Sequence, residues 1–568
     1  MTRMTYVEAQ ARANRDTRTL GSTALAQAKR RPRQTGVLDA RGSMSRLKMA
    51  GVALAMGALV DLGADDSNVG VLLPPGQAGT LANLMLALYG HTSVNLNHTA
   101  GPAQLARMLR LARVKTVISS SEYLSRIGDL ELPARVVYVE ELVAHLSKTR
   151  VLRHMARVML LPPSWIDRGR PEQVAAIVFS SGSEAEPKGV QLSHQQMLAN
   201  TDATMLQLEL RPGEEVLASP LPLFHAFGLG PGLWLCLANA FTIVGQADPR
   251  DGAALGELAH KSGATFLIGT PTFMRSYMRR IEPEQLRSLR FAFVGAEHCP
   301  AELRAAFLER YDAPLLEGYG CTELSPVVAV NTIDASRDGT VGLPLPGVEV
   351  FATDPDSGAI LPRDSEGVLV VRSPARMIGY IDRPDLTEKV FVHGGYDTGD
   401  IGHVDADGFV HITGRLARFA KIGGEMVPLD RVEEALQDYI DQHHPGECEL
   451  AVAAVSDRRK GERLLVLHTG LDCPIDDVLT ALDDYPQLHR PRSRDCYNVA
   501  EIPVLGTGKR DFGALQRLAE EIDAQQPSAV GGAVRRLVRK VRGGEGDGDG
   551  EADRGPLAAA GSGVEAEP

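Results

Sequence analysis

Short β-branched apolar runs that alternate with helical periodicity constrain this chain more than any other feature. Residues 69–75 read as a strand, 81–90 as a helix, 94–97 as a strand, 103–112 as a helix and 114–119 as a strand, and the alternation returns from 174 to 330. Strands separated by helices cannot pair as hairpins, so parallel sheets covered by helices are expected: an α/β architecture of layers. Between 341 and 412 the pattern turns β-rich with glycine turns such as Asp405-Ala406-Asp407-Gly408. After Gly414-Arg415 a smaller unit is expected, with a helix at 428–440, strands at 449–456 and 463–468, and a helix at 475–484. About a hundred residues suffice for a small α+β domain.

The chain has 568 residues, enough for more than one domain and a large core. Its 44 % hydrophobic and 23 % charged residues are those of a globular protein, and a net charge of −12 disfavours a general nucleic-acid binder. Cys236, Cys299, Cys321, Cys448, Cys473 and Cys496 form neither a CxxC pair nor a Cys/His cluster, so no zinc site or disulfide framework is indicated and a reduced cytoplasm fits. The polar N-terminus has no signal-peptide pattern. The apolar stretch 49–60 is too short to span a bilayer. Residues 216–247, broken by Pro220, Pro222, Pro231 and several glycines, read as a buried sheet-and-loop segment rather than a membrane helix, with room for an apolar ligand beside it. Residues 543–568 are rich in Gly, Ala, Asp and Glu and read as disordered. The basic segment 533–542 is the candidate for peripheral contact with an acidic membrane surface, at the inner face, although a solvated tail is the favoured reading.

Chemistry concentrates first at residues 177–194, IVFSSGSEAEPKGVQLSH. An apolar run enters a loop of Ser180, Ser181, Gly182 and Ser183, which leads through Pro187 and Lys188 to Gly189. Small residues let backbone N–H groups converge on a polyanion, and Lys188 adds a compact charge suited to phosphate. The bland alternative is a polar hairpin between two strands. No Gly-Lys-Ser/Thr opens a helix, so this is not a Walker loop.

Downstream, in order, come Glu317-Gly318-Tyr319-Gly320-Cys321-Thr322-Glu323, Tyr396-Asp397-Thr398-Gly399-Asp400, Gly414-Arg415, Lys421-Ile422-Gly423-Gly424-Glu425 and Pro503-Val504-Leu505-Gly506-Thr507-Gly508-Lys509. In this order and spacing they resemble the adenylate-forming superfamily of acyl-CoA synthetases, peptide-synthetase adenylation domains and luciferases. LLEGYGCTELSPVVAVN, RFAKIGGEMVPLDRVEEAL and PVLGTGKRDF look most like the acyl-carrier-protein synthetase half of the bifunctional 2-acylglycerophosphoethanolamine acyltransferase/acyl-ACP synthetases. The likeness runs from about Thr19 to Leu518, and the acyltransferase half has no counterpart here.

The resemblance implies a large N-terminal adenylation domain of layered sheets and helices and a small mobile C-terminal α+β domain. Its boundaries give an N-terminal extension at 1–18, a large AMP-binding domain at 19–415, a small domain at 416–520 and a tail at 521–568. It implies ATP and Mg²⁺, with Glu323 as the metal ligand and Thr322 on the α-phosphate. Tyr319, beside Gly318, would stack on adenine; Gly295-Ala296-Glu297, after the apolar strand 291–294, matches the adenine-site segment. Asp400 would bind the ribose hydroxyls, with Arg415 as its partner. His225, Phe227 and Gly228 would line the acyl pocket. Lys509 would bridge carboxylate and α-phosphate, and Lys421 would act in a second orientation of the small domain. Two positions depart from the pattern: Ala185 stands where glycine is usual in the phosphate loop, and Ala417 where Asp or Lys is usual at the hinge.

The function implied is an ATP-dependent acid–thiol ligase acting on a fatty acid and a phosphopantetheine thiol, with acyl carrier protein favoured as acceptor and coenzyme A second. Adenylation of an amino or aryl acid is the alternative enzyme. A degenerate nucleotide- or acyl-binding homologue without turnover is the non-enzymatic one. Acyl chain length and oligomeric state are not encoded in these motifs.

Overall fold

The structure, a computed structural model, describes residues 4–524 apart from 64–65, 129–131, 181–186, 423–424, 445–447, 458–459, 484 and 505–509. By its internal contacts the chain divides into Met1–Gln516 and Arg517–Pro568. The described part of the second unit, residues 517–524, is the end of the helix Phe512–Ala524. All that follows concerns the first unit.

The first sheet runs, in order, Gly379–Tyr380, Lys188–Ser193, Val174–Ser180, Thr92–Asn95, Asn68–Leu72, Thr116–Ser119 and Arg135–Tyr138. From Val174–Ser180 to Arg135–Tyr138 the strands are parallel, as their helical crossovers require. The hairpin of Val174–Ser180 with Lys188–Ser193 is antiparallel, pairing Ser180 with Lys188. The second sheet has nine strands. Its parallel centre comprises Thr35–Asp39, Thr242–Gly245, Val216–Ser219, Phe266–Gly269, Phe291–Val294 and Leu315–Gly320. Antiparallel strands close both edges. Phe266–Gly269 and Phe291–Val294 are buried throughout, as strands covered on both faces must be.

The expected strands and helices of the first third are found, displaced by a few residues: 69–75 is Asn68–Leu72, 81–90 is Gln77–Tyr89 and 94–97 is Thr92–Asn95. The apolar stretch 49–60 belongs to the helix Arg46–Gly57, which packs against the helices Gln77–Tyr89 and Lys148–Leu160. A helix that is apolar on all sides needs such a position.

The expectation for 216–247 is corrected. Between the strands Val216–Ser219 and Thr242–Gly245 the chain is helical from Ala226 to Asn239, with a widened π-type turn at Gly230–Trp234. Its glycines are close-packing residues rather than breakers. A Cβ on Gly228 would lie 2.2 Å from the Pro222 carbonyl oxygen, and one on Gly232 would lie 2.5 Å from Ser219 Oγ. The helix abuts its own entry loop, and tertiary contact overrides the propensity cost of glycine.

The β-rich region forms a four-stranded antiparallel sheet of Glu349–Thr353, Gly367–Arg372, Tyr396–Val404 and Val410–Arg415. After it the chain passes through a short turn, Leu416–Arg418, into a five-stranded sheet with its own buried cluster, which includes Ala420, Val432, Leu436, Val452, Val466 and Leu482. The helix expected at 475–484 is instead a short α-helix, Ile475–Leu479, followed by a 3₁₀ turn, Thr480–Leu482. Arg418 is buried in this second core. Its guanidinium bonds Asp430 (2.8 Å), Glu433 (2.7 Å) and the Val452 carbonyl (2.6 Å), and lies 4.4 Å from the Phe512 ring centroid.

Candidate active site

The strand Leu315–Gly320 carries Glu317-Gly318-Tyr319-Gly320, and close approach explains its glycines. A Cβ on Gly318 would fall 2.2 Å from the Phe293 ring, and one on Gly320 would fall 2.3 Å from the Pro326 carbonyl oxygen. Glu317 is buried and accepts from Cys299 N (3.1 Å) and from Arg304 (3.1 Å), which also reaches Asp338 (3.1 Å). Burial pushes the Glu317 carboxyl above its ordinary range, against the pull of His298 and Arg304.

The 3₁₀ turn Thr322–Leu324 follows and places Glu323, buried, against Tyr380. The Tyr380 hydroxyl donates to Glu323 Oε1 at 2.8 Å and lies 3.4 Å from the Tyr396 hydroxyl. Lys188 Nζ is 6.0 Å from the centroid of the Tyr380 ring. The exit of the serine-rich loop and the Glu323 carboxylate, distant in sequence, are thus neighbours across one tyrosine. Burial raises the Glu323 pKa above the ordinary carboxylate range, while Tyr380, Tyr396 and Lys188 oppose it.

The turn is clamped from two further sides. Met377 N donates to the Glu323 carbonyl (2.7 Å), and Ser325 Oγ donates to the Ala375 carbonyl (2.8 Å). From the helix His194–Gln207, buried Asn200 donates through Nδ2 to the carbonyls of Leu324 (3.2 Å) and Val327 (2.7 Å) and accepts from Val327 N (3.2 Å).

Asp400 and Arg415 face each other in the register of adjacent strands and are joined at 2.9 Å through Arg415 Nε. The Tyr319 hydroxyl donates to the other Asp400 oxygen. Asp400 is 4 % exposed, and burial raises its pKa while Arg415 and Tyr319 oppose the shift. Gly399, at φ 68°, allows the sharp turn before it, and Thr398 Oγ accepts from Asp400 N (3.1 Å).

The segment Gly295-Ala296-Glu297 leaves the neighbouring strand. A Cβ on Gly295 would lie 3.1 Å from the Gly318 carbonyl oxygen, so the two segments nearly touch. Ala296 is held at φ 75°, in the left-handed region that alanine seldom occupies. The Glu297 carboxylate bonds Thr272 Oγ (2.8 Å) and N (3.3 Å), which directs it to a helix start. His225 caps the helical segment from Ala226, accepting from Phe227 N (3.3 Å). Phe227 packs edge-on to Phe293, with ring centroids 6.0 Å apart. Phe227 therefore adjoins the Gly295 segment directly and the Gly318 segment through Phe293, with His225 and Gly228 beside it in the chain.

The structure brings together Ser180, Lys188, Glu323, Tyr319, Asp400, Arg415 and the 295–297 segment around the ends of these strands. Ser181, Gly182, Ser183, Ala185 and Lys509 lie outside the described residues, as do the side chains of Ala417 and Lys421; the backbone of Lys421 is in the strand Phe419–Ile422, opposite Met426. Sequence reasoning missed Asn200, Tyr380, Tyr396 and Arg304. Asn200 shares its buried helix face with Met197, Ala203 and Thr204, and a buried amide there calls for a specific partner.

Glu323 offers hard oxygen donors beside a cation and hydroxyls. Among the described residues no group of three or more His, Cys, Asp or Glu side chains could hold a metal ion. A Mg²⁺ ion still fits here, because Mg²⁺ is commonly held by one or two carboxylates together with substrate phosphates and water.

The family model described as AMP-binding enzyme matches residues 26–381. The chain is 29 % identical over 413 residues to a long-chain-fatty-acid–CoA ligase of Escherichia coli O157:H7, covering 66 % of this chain and 72 % of that protein. It is 31 % identical over 357 residues to a feruloyl-CoA synthase of an Amycolatopsis species, covering 61 % and 70 %. Among solved structures, ATP-bound MatB from Rhodopseudomonas palustris superposes with a TM-score of 0.73 at 24 % identity, over 88 % of this chain and 99 % of that one. The amide bond synthetase McbA from Marinactinospora thermotolerans superposes with a TM-score of 0.72 at 28 % identity, over 88 % and 99 %.

Proposed function

Because the chain belongs to the AMP-binding enzyme family, we propose that it is an ATP-dependent ligase that activates a fatty acid as acyl-AMP and passes the acyl group to a phosphopantetheine thiol. One observation carries this reading: Glu323 meets Lys188 across Tyr380, at strand ends shared with the Tyr319–Asp400–Arg415 cluster. We assign 19–415 to the large domain and 416–520 to the small mobile one.

In the first half-reaction a carboxylate oxygen of the fatty acid attacks the α-phosphorus, and the bond to pyrophosphate breaks. Lys188 and the amides of the loop from Ser180 hold the leaving phosphates. Glu323 holds Mg²⁺, which when bound neutralises phosphate charge, and Thr322 contacts the α-phosphate. Asp400 and Arg415 take the ribose. Asp400 retains acceptor capacity for a diol beyond its bonds to Tyr319 and Arg415, since an ionised carboxylate has about four lone-pair sites. Tyr319, Gly318 and the 295–297 segment flank adenine, and His225, Phe227 and Gly228 line the acyl chain. Lys509 bridges carboxylate and α-phosphate. In the second half-reaction the thiolate attacks the acyl carbon and AMP leaves, with Lys421 brought close by the turned small domain. Acyl carrier protein is the acceptor favoured by the sequence motifs. The names of the fatty-acid and feruloyl relatives support coenzyme A, so both are tested together.

Pyrophosphate exchange with a panel of fatty acids and ferulate, followed by thioester formation with coenzyme A and with carrier protein, tests the reading. Exchange with fatty acids and transfer to either thiol is expected. Exchange with ferulate alone would replace the fatty acid by an aryl acid. No exchange with any acid would leave a binding homologue without turnover.

A further inference from the structure

The helix Lys148–Leu160 packs inward through Val151, His154, Met155 and Val158, four positions on one helical face. Its seat is the helix Arg46–Gly57, where Gly51 lets Met155 come so near that a Cβ on Gly51 would lie 2.5 Å from it. The opposite face is unusual. Leu152 is 61 % exposed and Leu160 78 % exposed, with exposed Ala156 between them at four-residue spacing. Arg153 and Arg157 flank this stripe, and Lys148 precedes it. After a turn through Pro162 and Pro163 comes Trp165, 75 % exposed.

Charge sorts with this face. From Lys148 to Arg170 there are six Lys or Arg residues and one acid, Asp167. That acid is turned inward, bonded to Thr19 Oγ, Ser22 N (2.9 Å) and Gly169 N (3.1 Å). The whole chain carries −12, so the helix is a cationic strip on an acidic protein. Single exposed leucines are ordinary. An apolar stripe flanked by cations, on a helix without a single acid and followed by an exposed tryptophan, is the composition of a helix that lies in a bilayer interface.

We propose that the helix Lys148–Leu160 and the Trp165 turn form a docking face for an anionic lipid bilayer. Leu152, Leu160 and Trp165 enter the boundary between headgroups and acyl chains, while Lys148, Arg153 and Arg157 meet lipid phosphates. The remote acidic residues do not prevent this, because salt screens charges beyond about 8 Å. An acidic protein would satisfy the cations but gives no reason for a solvent-facing stripe that spans two helical turns and continues to a tryptophan. The face is independent of the ligase reading, and the basic segment 533–542 is a separate candidate that the test keeps intact.

Full-length protein is sedimented with phosphatidylcholine vesicles, with and without phosphatidylglycerol. Binding to the anionic vesicles only is expected. The chain has two tryptophans, and Trp234 is 2 % exposed, so a blue shift in emission on binding reports Trp165. Arg153→Gln combined with Arg157→Gln should weaken binding about 30-fold, the effect of removing two surface-bound cations. Leu152→Ser combined with Leu160→Ser should weaken it at least about tenfold. All four side chains are exposed, and unchanged circular dichroism and melting temperature verify the fold. Absence of binding to anionic vesicles overturns the proposal, as does binding that neither pair of substitutions changes. Full retention by the leucine pair would also overturn it, leaving adsorption by charge alone. Capture of an acidic protein, abolished by the arginine pair in the absence of any vesicle binding, would reassign the face to that protein.

Discussion

Replacing Asn200 by leucine tests how strictly the Glu323 turn must be held. The substitution keeps the side chain's shape but removes two donated bonds, to the carbonyls of Leu324 and Val327, and one accepted bond, from Val327 N. A buried polar group left unpaired costs about 1–3 kcal/mol, so three groups give about 3–9 kcal/mol. A hollow beside the clamp, lined by Asn200, Ala203 and Ala375 among others, admits water near the site and places the cost near the lower end. If half of about 3 kcal/mol falls on the placement of Glu323, the Mg²⁺ requirement rises about tenfold. Pyrophosphate exchange titrated with Mg²⁺ measures this, and the KM for the fatty acid should stay near that of the parent protein. Asn200→Asp supplies a second reading. Its carboxylate still accepts from Val327 N but turns an oxygen toward two carbonyls, so exchange should recover as pH falls and the group protonates; the leucine variant should not recover. A folded Asn200→Leu protein with the parent's Mg²⁺ dependence would refute the clamp.

Three further outcomes are expected. Glu323→Gln should lose most Mg²⁺-dependent turnover yet stabilise the protein without nucleotide. The folded-state pKa of Glu323 is raised by burial, so the folded protein keeps a proton that the unfolded chain releases. Stability is therefore lost as pH climbs from the ordinary carboxylate range toward the raised value, and the melting advantage of the variant should be small at acid pH and grow through that window; a variant less stable than its parent at neutral pH contradicts this. Lys509→Ala should abolish acyl-adenylate formation with ATP binding retained, and near-normal exchange would remove Lys509 from the mechanism. Ala417→Pro should lose thioester formation selectively while exchange persists, because proline fixes φ where a hinge must turn; equal loss of both half-reactions in a folded protein would count against a hinge at this residue.

The sequence made some of this geometry legible and hid the rest for physical reasons. Strand–helix alternation revealed the parallel layers because buried parallel strands are short, uniformly apolar runs. Asp400 and Arg415 could be paired as motif residues, and the strand register then joins them directly. Tyr380 was invisible because it reaches Glu323 from 57 residues away, and Asn200 meets its partners from 124 and 127 residues away. Such contacts follow from sheet order, which local pattern does not specify. The helix from Ala226 to Asn239 was hidden by its own glycines, which read as breakers until the entry loop they touch is in place.

Arg418 has a mechanical consequence. Its guanidinium is fastened to Asp430, Glu433 and Val452, deep in the core of the last sheet, one residue beyond Ala417. If the small domain turns as proposed, torque on that core is carried as far as Arg418, and the backbone between Arg415 and Ala417 is where it would be released. A pivot confined to so few bonds would act as a short axle with a long lever, so that modest changes in two or three dihedrals would sweep distant loops through large arcs. Loosening the fastening, as Arg418→Met would, should blur the axle rather than jam it, and the core would arrive at either end of its swing with less angular definition.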